Sequence, residues 1–176
     1  MRKVILYIAM SLDGYIADAE GKVDWLTGQD SDLPEDGSYE EFEKEIDTVI
    51  MGWKTYHQIV TELSPKEWVY GNLQSYVITH RKAGSEDGIL FTSQSPGTLV
   101  RELKEQKGKD IWICGGANLV RQLVEEDLID QYRISVIPTI LGKGIPLFGT
   151  MEKEIRLRLM EAQGRNGITE LIYERR

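Results

Sequence analysis

Three places in this chain put glycine or cationic side chains directly after an apolar run, where an anion could be held. Ile111-Trp112-Ile113-Cys114 ends at Gly115-Gly116 and resumes as Ala117-Asn118-Leu119-Val120-Arg121-Gln122-Leu123-Val124, with apolar pairs four residues apart. The pattern predicts strand, tight turn, helix. Glycine reaches backbone angles closed to other residues and lets a ligand come up against bare peptide. The N–H groups that open the following helix, at its positive dipole end, suit a phosphate. Asp47-Thr48-Val49-Ile50-Met51-Gly52 followed by Trp53 to Thr61 repeats this grammar. The third place is Ser75-Tyr76-Val77-Ile78-Thr79, closed by His80-Arg81-Lys82. On the residues alone, a Gly-Gly pair is more simply a cramped corner between a core strand and its helix, and a basic turn is equally a solvated loop or a phosphate site. Asp13, in Ser11-Leu12-Asp13-Gly14, is likewise either a turn residue or a carboxylate offered to a ligand at a strand end.

With 176 residues, the chain has the length for one sizeable core, so a single domain over residues 1–176 is expected. Its 41% hydrophobic and 28% charged residues are those of a globular chain. A net charge of −8 argues against a general nucleic-acid or anionic-membrane surface, which needs clustered excess Lys and Arg. Val4 to Met10 is too short for a membrane span and too soon followed by Asp13-Gly14 for a secretory h-region, which predicts a cytoplasmic protein. The single cysteine, Cys114, excludes an internal disulfide and reads as a small buried hydrophobe. His57 and His80 lie apart from one another without Cys or acidic neighbours at ligand spacing, so no metal site is expected.

The elements that must position these residues read in order. Val4-Ile5-Leu6-Tyr7-Ile8-Ala9-Met10 is apolar on both parities, a central strand covered on both faces. From Asp18 to Gly37 runs a long acidic connection with Trp25 and Leu26 as anchors, more suited to a lid or binding loop than to a linker. Tyr39, Phe42 and Ile46 at helical spacing predict a helix over 38–46, with Ser38 as N-cap and Glu41 completing a capping box. Further strands are expected at 47–52, 75–79, 88–92, 111–114 and 130–140, with helices over 53–61, after Ser95-Pro96 to about Lys107, and after Gly116. Ile155 to Ala162 and Ile168 to Tyr173 form a hairpin around Asn166-Gly167. Strands alternating with helices predict a mostly parallel sheet with antiparallel strands at its C-terminal edge.

Four pieces together, Met10 to Ala17, Val49 to Tyr56, the basic turn after Tyr76-Val77-Ile78-Thr79, and Ile113 to Ala117, resemble the dihydrofolate reductase-like superfamily. The first piece, with Pro138 to Phe148, is more similar to its riboflavin-biosynthesis reductase branch, the C-terminal domain of bifunctional deaminase-reductases. The resemblance implies a three-layer α/β/α fold around a mostly parallel central sheet with a C-terminal antiparallel hairpin. It also implies NADPH-dependent hydride transfer to a riboflavin-pathway pyrimidine, a 5-amino-6-(5-phosphoribosylamino)uracil or a related small molecule, by a homodimer. Carried over by position, Gly115, Gly116, Ala117, Asn118 and Leu119 would lie along the cofactor pyrophosphate. Gly52, Lys54 and Thr55 would meet the adenosine-side phosphates, and Thr79, His80, Arg81 and Lys82 the 2′-phosphate. Two glycine turns and one basic turn then make three anion sites for a ligand with a pyrophosphate and a separate phosphate, which lifts Gly115-Gly116 above a mere corner.

On the substrate side the resemblance puts Asp13, with Trp25, Leu26 and Tyr39 as walls. Two departures stand out. Trp53 occupies the place after the second glycine where dihydrofolate reductases carry a basic residue, and Glu41, Glu43 and Glu45 offer three choices for a pterin-binding carboxylate. The alternatives are a dihydrofolate or pterin reductase and a nucleotide-binding protein without turnover. The chain carries no Cys and His set for a zinc deaminase.

Overall fold

The computed structural model describes residues 1–33, 37–84, 86 and 88–176. Its main sheet has β1 (Val4–Ser11) near the middle, flanked by β6 (Asp110–Gly115) and β7 (Gln131–Ile137). Beyond β6 lie β3 (Ile46–Gly52), β4 (Gln74–Ile78) and β5 (Ile89–Thr92), all parallel to their neighbours. Beyond β7 the hairpin of β10 (Ile168–Arg175) and β9 (Leu157–Arg165) adds antiparallel strands, with β9 at the edge. The expected α/β architecture and the C-terminal hairpin are therefore both present.

Alternation along β1 explains its place. Val4 and Leu6 enter a core with Leu99, Val100 and Leu103 of α3 (Pro96–Lys104) and Leu119, Val120 and Leu123 of α4 (Ala117–Glu125). Ile5 enters a core on the opposite face with Phe42 of α1 (Ser38–Glu43) and Tyr56 of α2 (Trp53–Gln58). Side chains of successive strand residues point to opposite faces, so a run apolar on both parities needs helices on both sides.

Local signals fix several ends. Ser95 Oγ accepts from the Thr98 N–H at 3.2 Å and Pro96 opens α3, as its sequence predicts. Asn166 and Gly167 both have positive φ, 51° and 76°, and turn β9 into β10 with Arg165 paired to Ile168.

Two expectations are corrected. The N-cap of α1 is Gly37 at φ 76°, not Ser38; no side-chain cap closes this end among the described residues, and the Glu41 carboxylate pairs with Lys44 at 2.6 Å. The helix also ends before Ile46, which is 2% exposed and opens β3, paired with Asp110 of β6. Sequence reading also missed a two-stranded antiparallel sheet, β2 (Tyr15–Ala17) with β8 (Ile145–Pro146). Here Gly144 is required, since a side chain at that position would collide with the Ala17 carbonyl oxygen. No helix among the described residues is long and apolar enough to cross a membrane.

Candidate active site

The chain leaves β1 for β3 across the position of β6, returns to fill it, and then crosses to β7, so the strand order reverses around β1 and β6. At such a switch point the C-terminal strand ends diverge and leave a crevice. Here the crevice is a cleft of about 1290 Å³.

One wall is built from the glycine turns. Gly52 and Gly116 are the N-caps of α2 and α4, and neither helix start is capped by a side chain. The turns touch: a Cβ at Gly52 would lie 4.0 Å from the Gly116 nitrogen, and one at Gly116 would lie 3.4 Å from Thr55 Oγ1. Gly115 sits at φ 129°, a conformation that side chains other than hydrogen rarely adopt, and is joined to Gly116 by a cis peptide bond. Lys54, Thr55, Ala117, Asn118 and Leu119 line the cleft beside them.

The basic turn joins this wall from β4. Thr79 Oγ1 accepts from the Arg81 N–H at 3.1 Å and shapes the turn, and Thr79, His80 and Arg81 line the cleft. The Arg81 guanidinium rests 5.3 Å from the centre of the Trp53 ring. Trp53, which departs from the basic residue of dihydrofolate reductases, thus supports a cation presented by the neighbouring turn. Lys82 and Gly115 stand outside the lining.

The rest of the lining is mixed, with Gln58, Glu62, Ser93, Gln94, Ser95 and Gln122 among its polar members. Ile8, Ala9, Ile16, Leu26 and Tyr70 line the cleft together with Ile59 and Leu63 of a π-helical turn, Ile59–Leu63, that continues α2. Cys114 lines the cleft as well; removal from water pushes its thiol up to about 12, against a weaker opposing effect of the Tyr70 hydroxyl 3.9 Å away. At pH 8 iodoacetamide should therefore alkylate Cys114 roughly 100-fold or more slowly in the folded protein than in denaturant. Mass spectrometry of the labelled thiol tests this; equal rates would contradict it.

The other expected substrate-side residues are dispersed. Asp13 is not in the lining: its carboxylate accepts from Ser11 Oγ at 2.6 Å and from the N–H groups of Leu141 and Gly142 at 3.1 and 2.7 Å. It clasps the turn after β1 to the loop after β7. The Ser11 hydroxyl first, and then the two amides, hold this carboxyl below its ordinary range. A depressed carboxylate pKa contributes stability that is present above the unfolded value and lost as pH falls through the folded one. Asp13→Asn should therefore lower Tm at pH 7, with the difference from wild type shrinking toward pH 3. A gap unchanged by acidification would contradict the clasp.

Trp25 Nε1 donates to the Lys22 carbonyl at 3.2 Å and steadies the long loop, while Leu26 from the same loop reaches the cleft. Tyr39 packs against Trp112 at 5.9 Å, outside the lining, with its hydroxyl pushed up to about 12 by burial. Glu41 pairs with Lys44 and Glu45 with Arg133, each at 2.6 Å, and neither these nor Glu43 line the cleft. Sequence reading missed Gln58, Ile59, Glu62 and Leu63. Their signal was present, since Thr55, Ile59 and Leu63 fall every fourth residue, the spacing of one helical face.

Comparison with known proteins decides the family. The model of the RibD C-terminal domain matches residues 2–167. The chain belongs to this family, that of the reductase domain of RibD. The uncharacterized protein YwjB of Bacillus subtilis (strain 168) is 38% identical, over 99% of this chain and 98% of its own. The crystal structure of a provisionally named riboflavin biosynthesis protein from Shewanella sp. PV-4 superposes with a TM-score of 0.84 at 28% identity, covering 99% of each chain. Dihydrofolate reductase from Enterococcus faecalis, solved with NADP(H) and RAB-propyl, shares the fold alone, with a TM-score of 0.68 at 14% identity over 98% of this chain and 96% of that one. The dihydrofolate reductase-like architecture inferred from the four sequence pieces is the fold of this chain.

Proposed function

We propose that this chain is an NADPH-dependent reductase that transfers hydride to a riboflavin-pathway pyrimidine or a related small heterocycle. The observation that carries the reading is the convergence of two glycine turns and a basic turn on one cleft whose lining also holds Ile8, Ala9, Ile16 and Ile59. Membership of the RibD C-terminal domain family and the NADP(H) bound by the E. faecalis enzyme on the same fold support it.

The residues fit such a cofactor. The peptide N–H groups after Gly52 and Gly116 would face its pyrophosphate, and Lys54 and Thr55 would add a cation and a hydroxyl. Arg81, propped on Trp53, and His80 would hold the 2′-phosphate. The bound cofactor supplies the hydride. Ile8, Ala9 and Ile59 would wall the acceptor ring, and Leu26 would approach it from the long loop. Gln58 Nε2 donates to the Gly21 carbonyl at 2.9 Å and so ties that loop to α2.

Asp13, spent on the clasp, would act by holding the loop after β7 rather than by touching substrate. The pterin-reductase alternative is weakened because none of Glu41, Glu43 and Glu45 faces the cleft. A homodimer belongs to the same reading, and Leu159 and Met160, exposed on the edge strand β9, offer an apolar patch for it.

The test is the loss of absorbance at 340 nm when NADPH is mixed with the protein and the riboflavin-pathway pyrimidine or its phosphate-free form. Oxidation above the protein-free rate supports the reading. NADPH binding with no oxidation by either form would favour the nucleotide-binding alternative.

A further inference from the structure

The tip of the C-terminal hairpin, at the edge of the sheet, grips the long loop that reaches the cleft. Asn166 Nδ2 donates to the Asp30 carbonyl at 2.8 Å, and Asn166 Oδ1 accepts from the Asp30 N–H at 2.9 Å. One side-chain amide thus pairs with both polar groups of a peptide residue, as a neighbouring strand would. The Asn166 carbonyl also accepts from the Gln29 N–H at 2.9 Å.

The contact is close as well as hydrogen-bonded. A Cβ at Gly28 would collide with Asn166 Nδ2 and lie 2.8 Å from the Asn166 carbonyl oxygen, and one at Gly167 would lie 2.7 Å from Gln29 Oε1. Asn166 stands at φ 51° because the turn from β9 to β10 requires it, and asparagine tolerates that angle better than most residues. The same residue therefore makes the turn and holds residues 28–30.

What it holds bears on the cleft. The loop gives Gly21, Val23 and Leu26 to the lining. Its other tie is the bond from Gln58 to the Gly21 carbonyl, so the two ties bracket the part that faces the cleft. Turns between them are closed by the Leu26 N–H on the Val23 carbonyl at 3.0 Å and the Thr27 N–H on the Trp25 carbonyl at 2.8 Å. No residue from 21 to 30 is buried, so these bonds rather than core packing fix the segment. Gln58 lies one turn beyond Thr55, about 4.5 Å along the helix axis, so a ligand held at the glycine turns comes within reach of this segment.

We propose that Asn166 is a positioning residue for the cleft: from the hairpin tip it keeps Val23 and Leu26 at the cleft wall and so slows the escape of a bound dinucleotide. That the dinucleotide is NADPH rests on the reductase reading; the grip on the loop does not.

Trypsin has one site between residues 18 and 37, after Lys22. Asn166→Gly removes both side-chain bonds and suits the positive φ, so the turn is kept. In this variant cleavage after Lys22, followed by mass spectrometry of the full chain, should be about tenfold faster than in wild type, with the other tryptic sites cut as before. NADPH release should also be about tenfold faster, read as the loss of energy transfer from tryptophan to nicotinamide during a chase with excess NADP+. Gly28→Ala, which drives a methyl group against Asn166 and leaves the hairpin sequence intact, should have the same two effects. Unchanged cleavage after Lys22 in both variants would overturn the grip, as would faster cleavage at every site alike. Faster cleavage with unchanged NADPH release would overturn the positioning role. If NADPH does not bind the wild-type chain, the reductase reading falls, and the rates at Lys22 still decide whether Asn166 holds the loop at the cleft.

Discussion

Gly116→Val should lower NADPH affinity by about 100-fold or more, the equivalent of roughly 3 kcal/mol, while leaving the thermal unfolding of the free protein nearly unchanged. The reason lies in what the position does. Gly116 has φ −86° and ψ −163°, angles open to valine, and the nearest atom a Cβ would meet is the Thr55 hydroxyl at 3.4 Å. The fold therefore leaves room for a Cβ at this position. A ligand that uses the N–H groups at the start of α4 does not, because the isopropyl group would occupy the space where its phosphates approach the peptide. Gly115 provides the contrast: at φ 129°, Gly115→Ala should cost about 1–3 kcal/mol of folding stability through backbone strain. Titration calorimetry and melting curves on both variants separate the roles. Unchanged NADPH affinity in Gly116→Val would remove the pyrophosphate from this turn.

Arg81→Ala should weaken NADPH by about 10- to 100-fold and NADH by less than about threefold. A charge-assisted bond to a phosphate is worth about 1.5–3 kcal/mol, and only NADPH has a 2′-phosphate to lose it. Arg81 is the better placed of the two cations in its turn: it lines the cleft and stacks on Trp53, whereas Lys82 stands outside the lining. Lys82→Ala should accordingly change NADPH affinity little. Trp53→Phe keeps a smaller ring beneath the guanidinium and should give a partial loss. Parallel titrations with both nucleotides measure the selectivity, and equal losses for the two with Arg81→Ala would contradict the 2′-phosphate assignment.

The sheet was legible in the sequence because burial on both faces leaves a strong mark. Val4 to Met10 is apolar at every position, and a central strand between helices accommodates that by burying Val4 and Leu6 on one face and Ile5 on the other. The hairpin was legible for a different reason, since Asn166-Gly167 can adopt the positive φ pair of a tight turn. The start of α1 was misread because Ser38 and Glu41 satisfy a capping pattern, while the preceding Gly37 takes the left-handed angle that decides where the helix begins. The small sheet of β2 and β8 left no mark, because it pairs three residues with two that lie more than a hundred positions away.

The site divides along the same line. The glycine and basic turns are local in sequence, and Gly52 with Lys54 and Thr55, Thr79 to Arg81, and Gly116 to Leu119 meet at one cleft. The apolar part of the lining is assembled from β1, the π-helical turn and the loop before β4, and no contiguous pattern announces it. Asp13 shows how much of a carboxylate's role its position leaves open. It stands at the end of a central strand, as a ligand-binding group would, yet its oxygens are occupied by the Ser11 hydroxyl and the amides of Leu141 and Gly142, residues too distant in sequence to be foreseen as partners.

The measurement that bears most directly on the account is a titration of the protein with NADPH and, in parallel, NADH, followed by energy transfer from tryptophan to the reduced nicotinamide. Trp53 lies in the cleft wall and should be a principal donor. The account predicts saturable transfer with NADPH bound at least about tenfold more tightly than NADH, and a preference that collapses in Arg81→Ala. Absence of saturable transfer with either nucleotide, confirmed by calorimetry, would contradict it and leave the fold without its proposed chemistry.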